Sequence, residues 1–476
     1  MLDPEPGPDA GSPQAAGMPR AGRAAASPLP VAQARVVRVN TSPGGVPKRP
    51  VESARVGRLG LEGDAHTDRT VHGGPFRAVC LYSMEAIGRV RAEGHPIFPG
   101  SVGENLTLEG LELSTLATGD RLAVGDALVL EITSPANPCD TIRESFLDER
   151  ISRISIRTHP LDSRLYARVL AEGVVRPGDP VRVLPPLPDS DAATHVLLDR
   201  LDSNERAYML VSWRAAVAGG VDVRIRDDGE LGIAATPSVP DENFNLALGL
   251  RRIPHLLPDV QSFFERHRVA GWVISAEPPW PGAVAERTGS VLAGAPVDIG
   301  DAPRVEGLAI RRVDPDEALS WERTVVAGFE FDGALAEAWL ASAPAIARDH
   351  RVHLFLAEID GEPAGAGGLF VHRGVGGLGP GCVLPAFRNR GVHAALIAAR
   401  ARTAAELGCD VVAGWARQDG PSERNMVRMG LRRIWTRHSF RWDGAARDHE
   451  AAGDGGAARD NGTARDPDPA GTGVPA

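Results

Sequence analysis

The chain has 476 residues, too many for one ordinary domain and suited to about two to four. With 43% hydrophobic and 24% charged residues it can bury sizeable cores. A net charge of -10 argues against a nucleic-acid binder held by a basic surface, and nearly all the positive charge is arginine, Lys48 being the only lysine.

Residues 1–30 are rich in proline, alanine and glycine and almost free of large apolar groups. Such a stretch cannot offset its ordering entropy and is expected to be a disordered tail. The segment 444–476, where Ala-Arg-Asp recurs, is expected to behave the same way. From 31 to 185 short β-like runs (34–40, 77–83, 105–110, 127–134, 179–184) are parted by polar, glycine-rich turns. This predicts a mostly-β, barrel-like domain. The stretch LPPLPDSDAATH ends that domain and reads as a linker, 186–195. Beyond it helical and strand patterns mix, which predicts an α/β (α+β) part. There, 253–267 reads as a helix starting near Pro258, and 268–282 as a strand with a Trp- and Pro-rich turn. Asp360-Gly361 between two apolar runs marks a hairpin. After the turn 388–391 a helix is expected, with Leu396, Ala399, Thr403 and Leu407 on its apolar face.

Cys80, Cys139, Cys382 and Cys409 form no Cys-x-x-Cys pair, so neither a structural zinc site nor a disulfide framework is indicated, and a reducing compartment is expected. No apolar run is long enough to span a membrane, and the N-terminus lacks the apolar core of a secretory signal. The expectation is a cytoplasmic chain without a membrane or nucleic-acid partner.

Three clusters in the first domain carry chemistry. Asp64, His66, Asp68, Arg69, His72 and Arg77 crowd around Gly73-Gly74 ahead of an apolar strand. A two-glycine loop can bring backbone N–H groups close to a phosphate, with Arg77 as a charged fork. A solvated loop is the bland reading of the same residues. Gly103 and Asn105 precede a strand. Cys139 lies in a turn after a strand, framed by Pro135 and Pro138, whereas Cys80 sits inside an apolar run as a structural cysteine does. A thiolate at a strand end suits a nucleophile or a soft-metal ligand, and an idle loop thiol is the alternative.

The order G-D-x-H…H-G-G-x-x-R-A-V, G-E-N-L-T-x-E-G-L, P-x-x-P-C resembles the MOSC domain, named after the C-terminal domain of molybdenum cofactor sulfurases. The resemblance covers 31–185 and implies a β-barrel-like fold that binds molybdopterin, the organic part of the molybdenum cofactor. It makes Cys139 the catalytic residue and the molybdenum ligand. His72, Arg77, Gly103 and Asn105 fall on motif positions near the pterin and its phosphate, and Lys48 joins them from an early basic turn. Some stand-alone bacterial members reduce N-hydroxylated bases. No flavin or iron–sulfur motif is visible, so the resemblance implies an external electron-donor protein for such a reaction.

In the last third, a strand reaches Val383-Leu384, and Arg388-Asn389-Arg390-Gly391 opens the helix at Val392-His393. A glycine-containing turn at a helix N-terminus presents free N–H groups to an anion, and two arginines add charge. Taken alone this is also an ordinary basic cap. With Ser422, Asn425 and Gly430 downstream in S-x-x-N-x-x-x-x-x-G, it resembles the GNAT N-acetyltransferases over 306–443; His393 stands where that family's turn has Gly or Ala. The resemblance implies acetyl-coenzyme A bound with its pyrophosphate on the 388–393 amides and its pantetheine between the strands near Val383 and Val412. Residues 196–305 resemble the degenerate N-terminal half of two-part GNAT proteins and lack such a turn. Glu358 is the base candidate, with Glu330 behind it. The tyrosines are Tyr82, Tyr166 and Tyr208, none of them within 306–443, which leaves the general acid unassigned.

The functional expectation is a fusion. The MOSC part binds the molybdenum cofactor and reduces N-hydroxylated or related small substrates; the GNAT part acetylates an amine. The alternative makes the MOSC part a non-catalytic molybdopterin or sulfur carrier, with the GNAT part as the only enzyme or merely a coenzyme A-binding module.

Overall fold

Apolar runs bounded by glycine and proline become the strands of the first part. The structure is a computed structural model that describes residues 34–65, 73–185 and 192–444. The expected N-terminal tail, the C-terminal tail from 445 on, most of the linker, and His66, Asp68, Arg69 and His72 lie outside the described residues.

The first part holds strands β1 (Arg35–Thr41), β2 (Arg49–Val51), β3 (Ala54–Gly57), β4 (Gly60–Leu61), β5 (Val79–Ser83), β6 (Leu106–Glu109), β7 (Arg121–Val124), β8 (Leu128–Ala136), β9 (Arg164–Ala171), β10 (Gly173–Val175) and β11 (Val181–Leu184). Helix α1 (Met84–Ala92) follows β5, and the Ser83 hydroxyl caps it by accepting from Ala86 N at 3.1 Å. Eight strands form one sheet in the order β11-β7-β8-β9-β5-β6-β1-β2, antiparallel except at β5-β6. β10, β3 and β4 form a second. The expected barrel is curled but not closed. The chain at the start of β11 touches β1 at one bridge, Arg35 with Pro180, where Val181 N donates to Ala34 O at 2.7 Å, rather than along a full ladder. Inward residues such as Val36, Leu81, Leu106, Leu130 and Ala167 fill the curl.

The second part opens with the long helix α2 (Ala192–Ala218), so the last residues of the expected linker are helical. Then come β12 (Arg224–Asp227), β13 (Gly232–Ala235), β14 (Leu246–Leu248), α3 (Leu257–His267), β15 (Gly271–Ser275), β16 (Ala285–Gly294), β17 (Leu308–Arg312), α4 (Ala318–Phe329) and α5 (Gly333–Ile346). The rest is β18 (Val352–Ile359), β19 (Glu362–His372), β20 (Val375–Val383), α6 (Val392–Glu406), β21 (Val411–Arg417), α7 (Pro421–Arg428) and β22 (Arg432–Trp442). Eleven strands make one sheet, β12-β13-β14-β15-β22-β16-β21-β20-β19-β18-β17. The final strand β22 inserts between β15 and β16, so 196–305 and 306–443 share a single sheet. Asp360 and Gly361 take φ of 52° and 85°, the paired positive values of a tight hairpin between β18 and β19.

The inward face of α6 is one position off the expected one. Leu396, Ile397, Arg400, Ala401 and Ala404 are buried, while Ala399 and Thr403 are only partly so. The buried set includes the charged Arg400, which apolar spacing does not mark as inward. The glycines of β19 and β20 make room for this arginine: a Cβ on Gly367 would lie 3.0 Å from its Nε, and one on Gly381 3.2 Å from Nη2.

The two parts dock through buried charge. Arg77 Nη2 and Arg200 Nη2 both reach Asp410 Oδ1, at 2.5 and 2.7 Å, and Arg168 joins Glu131 to Asp199 of α2. Among the described residues no helix is long and apolar enough to cross a membrane.

Candidate functional site

A cleft of about 1160 Å³ opens at the end of β8 and β9. Its floor is a buried polar network. Lys48 Nζ contacts Asp64 Oδ2 at 2.6 Å, with both side chains at most 5% exposed. Asn105 Nδ2 donates to the same oxygen at 2.9 Å, and Asn105 Oδ1 accepts from Cys80 N at 3.0 Å. Gly103 holds the wall at φ +83°, where an added Cβ would come within 3.0 Å of Val46. Cys139 caps the 3-10 turn Asp140–Ser145 at the rim, half-buried, with its Sγ 3.0 Å from Thr141 Oγ1. Cys80 also lines the cleft, but burial pushes its thiol up to about 11, so it is no thiolate near neutrality. Arg164 is 4% exposed and donates to Val102 O and Asn137 O; its Nε has no partner among the described residues.

Lys48, Arg77, Gly103, Asn105 and Cys139 all line this one cleft. Arg77 differs from its expected role. It lies over the Tyr166 ring at 5.0 Å and pairs with Asp410, so it anchors the second part. Burial works to raise the Asp410 carboxyl, but the guanidiniums of Arg200 and Arg77 outweigh it and hold the group below the usual carboxylate range. The second part also supplies cleft wall, including His350, Arg351 and His353. Sequence reading did not place those residues here, because their partners lie some 200 residues away in the chain.

A second groove, of about 750 Å³, runs along the N-terminus of α6. β20 and β21 are parallel and pair only from Val375–Val411 to Gly377–Ala413; beyond that they part. Val383, Arg388, Asn389, Gly391, Val392, His393, Ser422 and Asn425 line the groove, and Leu384 and Arg390 flank it. Gly391 takes φ +90°, and a Cβ there would press on Pro303 and Val305 at 3.1 Å. Arg390 stacks on Phe387, and Arg388 reaches Glu330 at 3.1 Å. Asn425 Nδ2 meets His393 Nδ1 at 3.3 Å. The parted strands and uncapped α6 amides suit an extended ligand with an anionic end.

Comparison with known proteins agrees with this division. Residues 68–182 match the MOSC domain family model, and 317–431 match the Acetyltransferase (GNAT) family model. The chain joins a MOSC domain to a GNAT domain. An uncharacterized protein, YflK, from Bacillus subtilis is 33% identical over 143 residues, 29% of this chain and 63% of the relative. YiiM from Escherichia coli is 34% identical over 130 residues, 26% and 57% respectively. A protein named reductase from Gibberella moniliformis is 32% identical over 129 residues, 22% of its length. The chain thus spans less than two thirds of each of these relatives. Among solved structures, a GCN5-related N-acetyltransferase from Kribbella flavida aligns over 49% of this chain and 98% of its own, at 16% identity and TM-score 0.36.

The second part has one more cavity, of about 450 Å³, lined both by residues of 204–244 and by residues of 321–437. Glu322 of α4, Arg400 of α6 and Tyr208 of α2 line it, and sequence reading had assigned none of them a role. Tyr208 reaches it because α2 packs across β19 and β20. Glu322 is 1% exposed; burial alone pushes its carboxyl up to about 8. Burial pulls Arg400 down to about 10 and, with Arg400 as neighbour, His393 down to about 4. Glu358 is elsewhere. It pairs with Arg311 Nε at 3.0 Å across β17 and β18, and it lines neither the groove nor this cavity.

Proposed function

We propose that the chain is an N-acetyltransferase whose GNAT domain moves acetyl from acetyl-coenzyme A to a small-molecule amine. The parting of β20 and β21 beside the α6 amides carries this reading. The diphosphate lies on the 388–393 turn, where backbone N–H groups, Arg388 and the helix dipole meet its charge. The pantetheine enters the gap beyond Gly377, and the thioester is held beside Gly381 and His393. With no tyrosine from α7 near the gap, rate comes from orientation and from the fixed charge of Arg400. Thiol release from acetyl-coenzyme A over an amine panel tests this. Amine-dependent release supports it, and coenzyme binding with no release from any amine contradicts it.

For the MOSC domain we propose molybdenum cofactor binding, with reduction of N-hydroxylated small substrates by an external electron donor. The name of the Gibberella relative is consistent with a redox role. The residues fit the group. Among the described residues no three His, Cys, Asp or Glu side chains gather around a metal position. Molybdenum bound to a molybdopterin carries ligands of its own, so a single thiolate such as Cys139 suffices to hold it. Arg164, with an unsatisfied Nε, and the Lys48–Asp64–Asn105 floor offer buried polar groups to the pterin and its phosphate. When bound, the group supplies oxygen-atom transfer; the chain positions it and shields it from bulk water.

A further inference from the structure

We propose that the cavity lined by Glu322, Arg400 and Tyr208 is an acceptor chamber for a hydrophobic primary amine, and that Glu322 is the group that takes the proton from its ammonium. This deepens the acetyltransferase reading and rests on it.

The chamber adjoins the coenzyme groove, since Phe329, Gly381, His393 and Ser422 line both. Acetyl donor and acceptor therefore meet at one junction. The lining is unusual for this chain. Only 5% of its residues are aromatic, yet four of its eight tryptophans, Trp213, Trp321, Trp339 and Trp415, face this one cavity. A space of about 450 Å³ holds a small organic molecule and excludes a folded protein.

Among these apolar walls the carboxylates differ in availability. Glu205 is taken by Arg437, at 2.7 and 2.8 Å. Glu322 Oε1 has no hydrogen-bond partner among the described residues. A nearly fully buried, unpartnered carboxyl is costly unless a ligand pairs with it, and an ammonium does so. Cationic substrate and aromatic walls are compatible, because ring faces attract an ammonium ion. His393 is the other titratable group at the junction, but its low proton affinity makes it a weak base near neutrality.

The step balances as follows. The Glu322 carboxylate removes one proton from R–NH₃⁺. The freed amine attacks the thioester carbonyl carbon, a C–N bond forms, and the C–S bond breaks as the intermediate collapses. The second N–H proton passes to the departing thiolate sulfur. The products are the acetamide, coenzyme A thiol and protonated Glu322, which returns its proton to solvent.

The test uses the full chain with acetyl-coenzyme A and four amines: 2-phenylethylamine, aniline, spermidine and glucosamine. The wild-type protein is expected to prefer 2-phenylethylamine to the two polar amines by about 100-fold or more in kcat/KM. Glu322→Gln is expected to lose about 100-fold or more with 2-phenylethylamine. With aniline, already neutral at the assay pH, it is expected to lose less than about 10-fold, and acetyl-coenzyme A affinity by calorimetry should not change. Equal losses for both amines, or no loss, overturn the role of Glu322. Preference for spermidine or glucosamine in the wild-type protein overturns the hydrophobic acceptor while leaving acetyl transfer standing. Coenzyme binding without turnover of any of the four overturns the acetyltransferase reading itself.

Discussion

Replacing Asp410 with asparagine removes the carboxylate that two buried guanidiniums share and keeps the side-chain shape. Arg77, Arg200 and Asp410 have side-chain exposures of 3%, 4% and 11%, so solvent screens them little. Breaking a buried pair by removing one partner costs about 3–5 kcal/mol, because the remaining charge stays buried. Both guanidiniums are affected here, so Asp410→Asn is expected to fall in that range or above it. The protein offers a convenient readout, since all eight tryptophans lie in the second part, from Trp213 to Trp442. Urea unfolding followed by tryptophan fluorescence reports the GNAT domain, and protection of the buried Cys80 thiol, in a Cys139→Ser background, reports the MOSC domain. The wild-type transitions should coincide. In Asp410→Asn they should separate, with the MOSC transition moving to lower urea. A loss under about 1 kcal/mol with coincident transitions would refute the idea that this ion triad clamps the domains.

Other expectations follow from the same geometry. Burial raises the Glu322 carboxyl from 4.5 to about 8, with Tyr208 and Cys382 as its ionisable neighbours, so its contribution to stability is full below pH 4.5 and is lost as pH rises toward 8. Glu322→Gln should therefore be more stable than the wild-type protein at pH 9, by on the order of a few kcal/mol, and close to it at pH 4.5. An unchanged difference between the two pH values contradicts this. Gly391→Val forces a side chain onto Pro303 and Val305 at φ +90° and should weaken acetyl-coenzyme A binding at least about 10-fold by calorimetry. Lys48→Met removes the cation 2.6 Å from the buried Asp64 carboxylate and should destabilise the MOSC domain by about 3 kcal/mol in urea.

What could be read from sequence was what local chain chemistry decides. The Asp360-Gly361 hairpin, the Gly391 turn and Cys139 at a strand end each depend on a few adjacent residues. Helix α3 begins at Leu257 with Pro258 in its first turn, as the proline rule expects. What escaped was set by distant contacts. Arg77 looks like an anion-binding fork within its own segment, yet its partner Asp410 is 333 residues along the chain. Glu322 sits on an ordinary amphipathic helix, and only the packing of α2 and α4 against β19 and β20 shows that it faces a cavity. The inward face of α6 was placed one position off because the buried Arg400 breaks the hydrophobic period that locates that face. The barrel stayed open because the chain at the start of β11 meets β1 at one bridge, a matter of strand register that apolar alternation does not encode.

The account rests most heavily on Cys139 as the residue that gives the MOSC cleft its chemistry. The most direct measurement is molybdenum content by mass spectrometry, on protein purified anaerobically from a host that makes the cofactor, with Cys139→Ser prepared in parallel. The account predicts near-stoichiometric molybdenum in the wild-type protein and a clear fall in the variant. Molybdenum absent from both would contradict it and leave acetyl transfer as the activity of the chain.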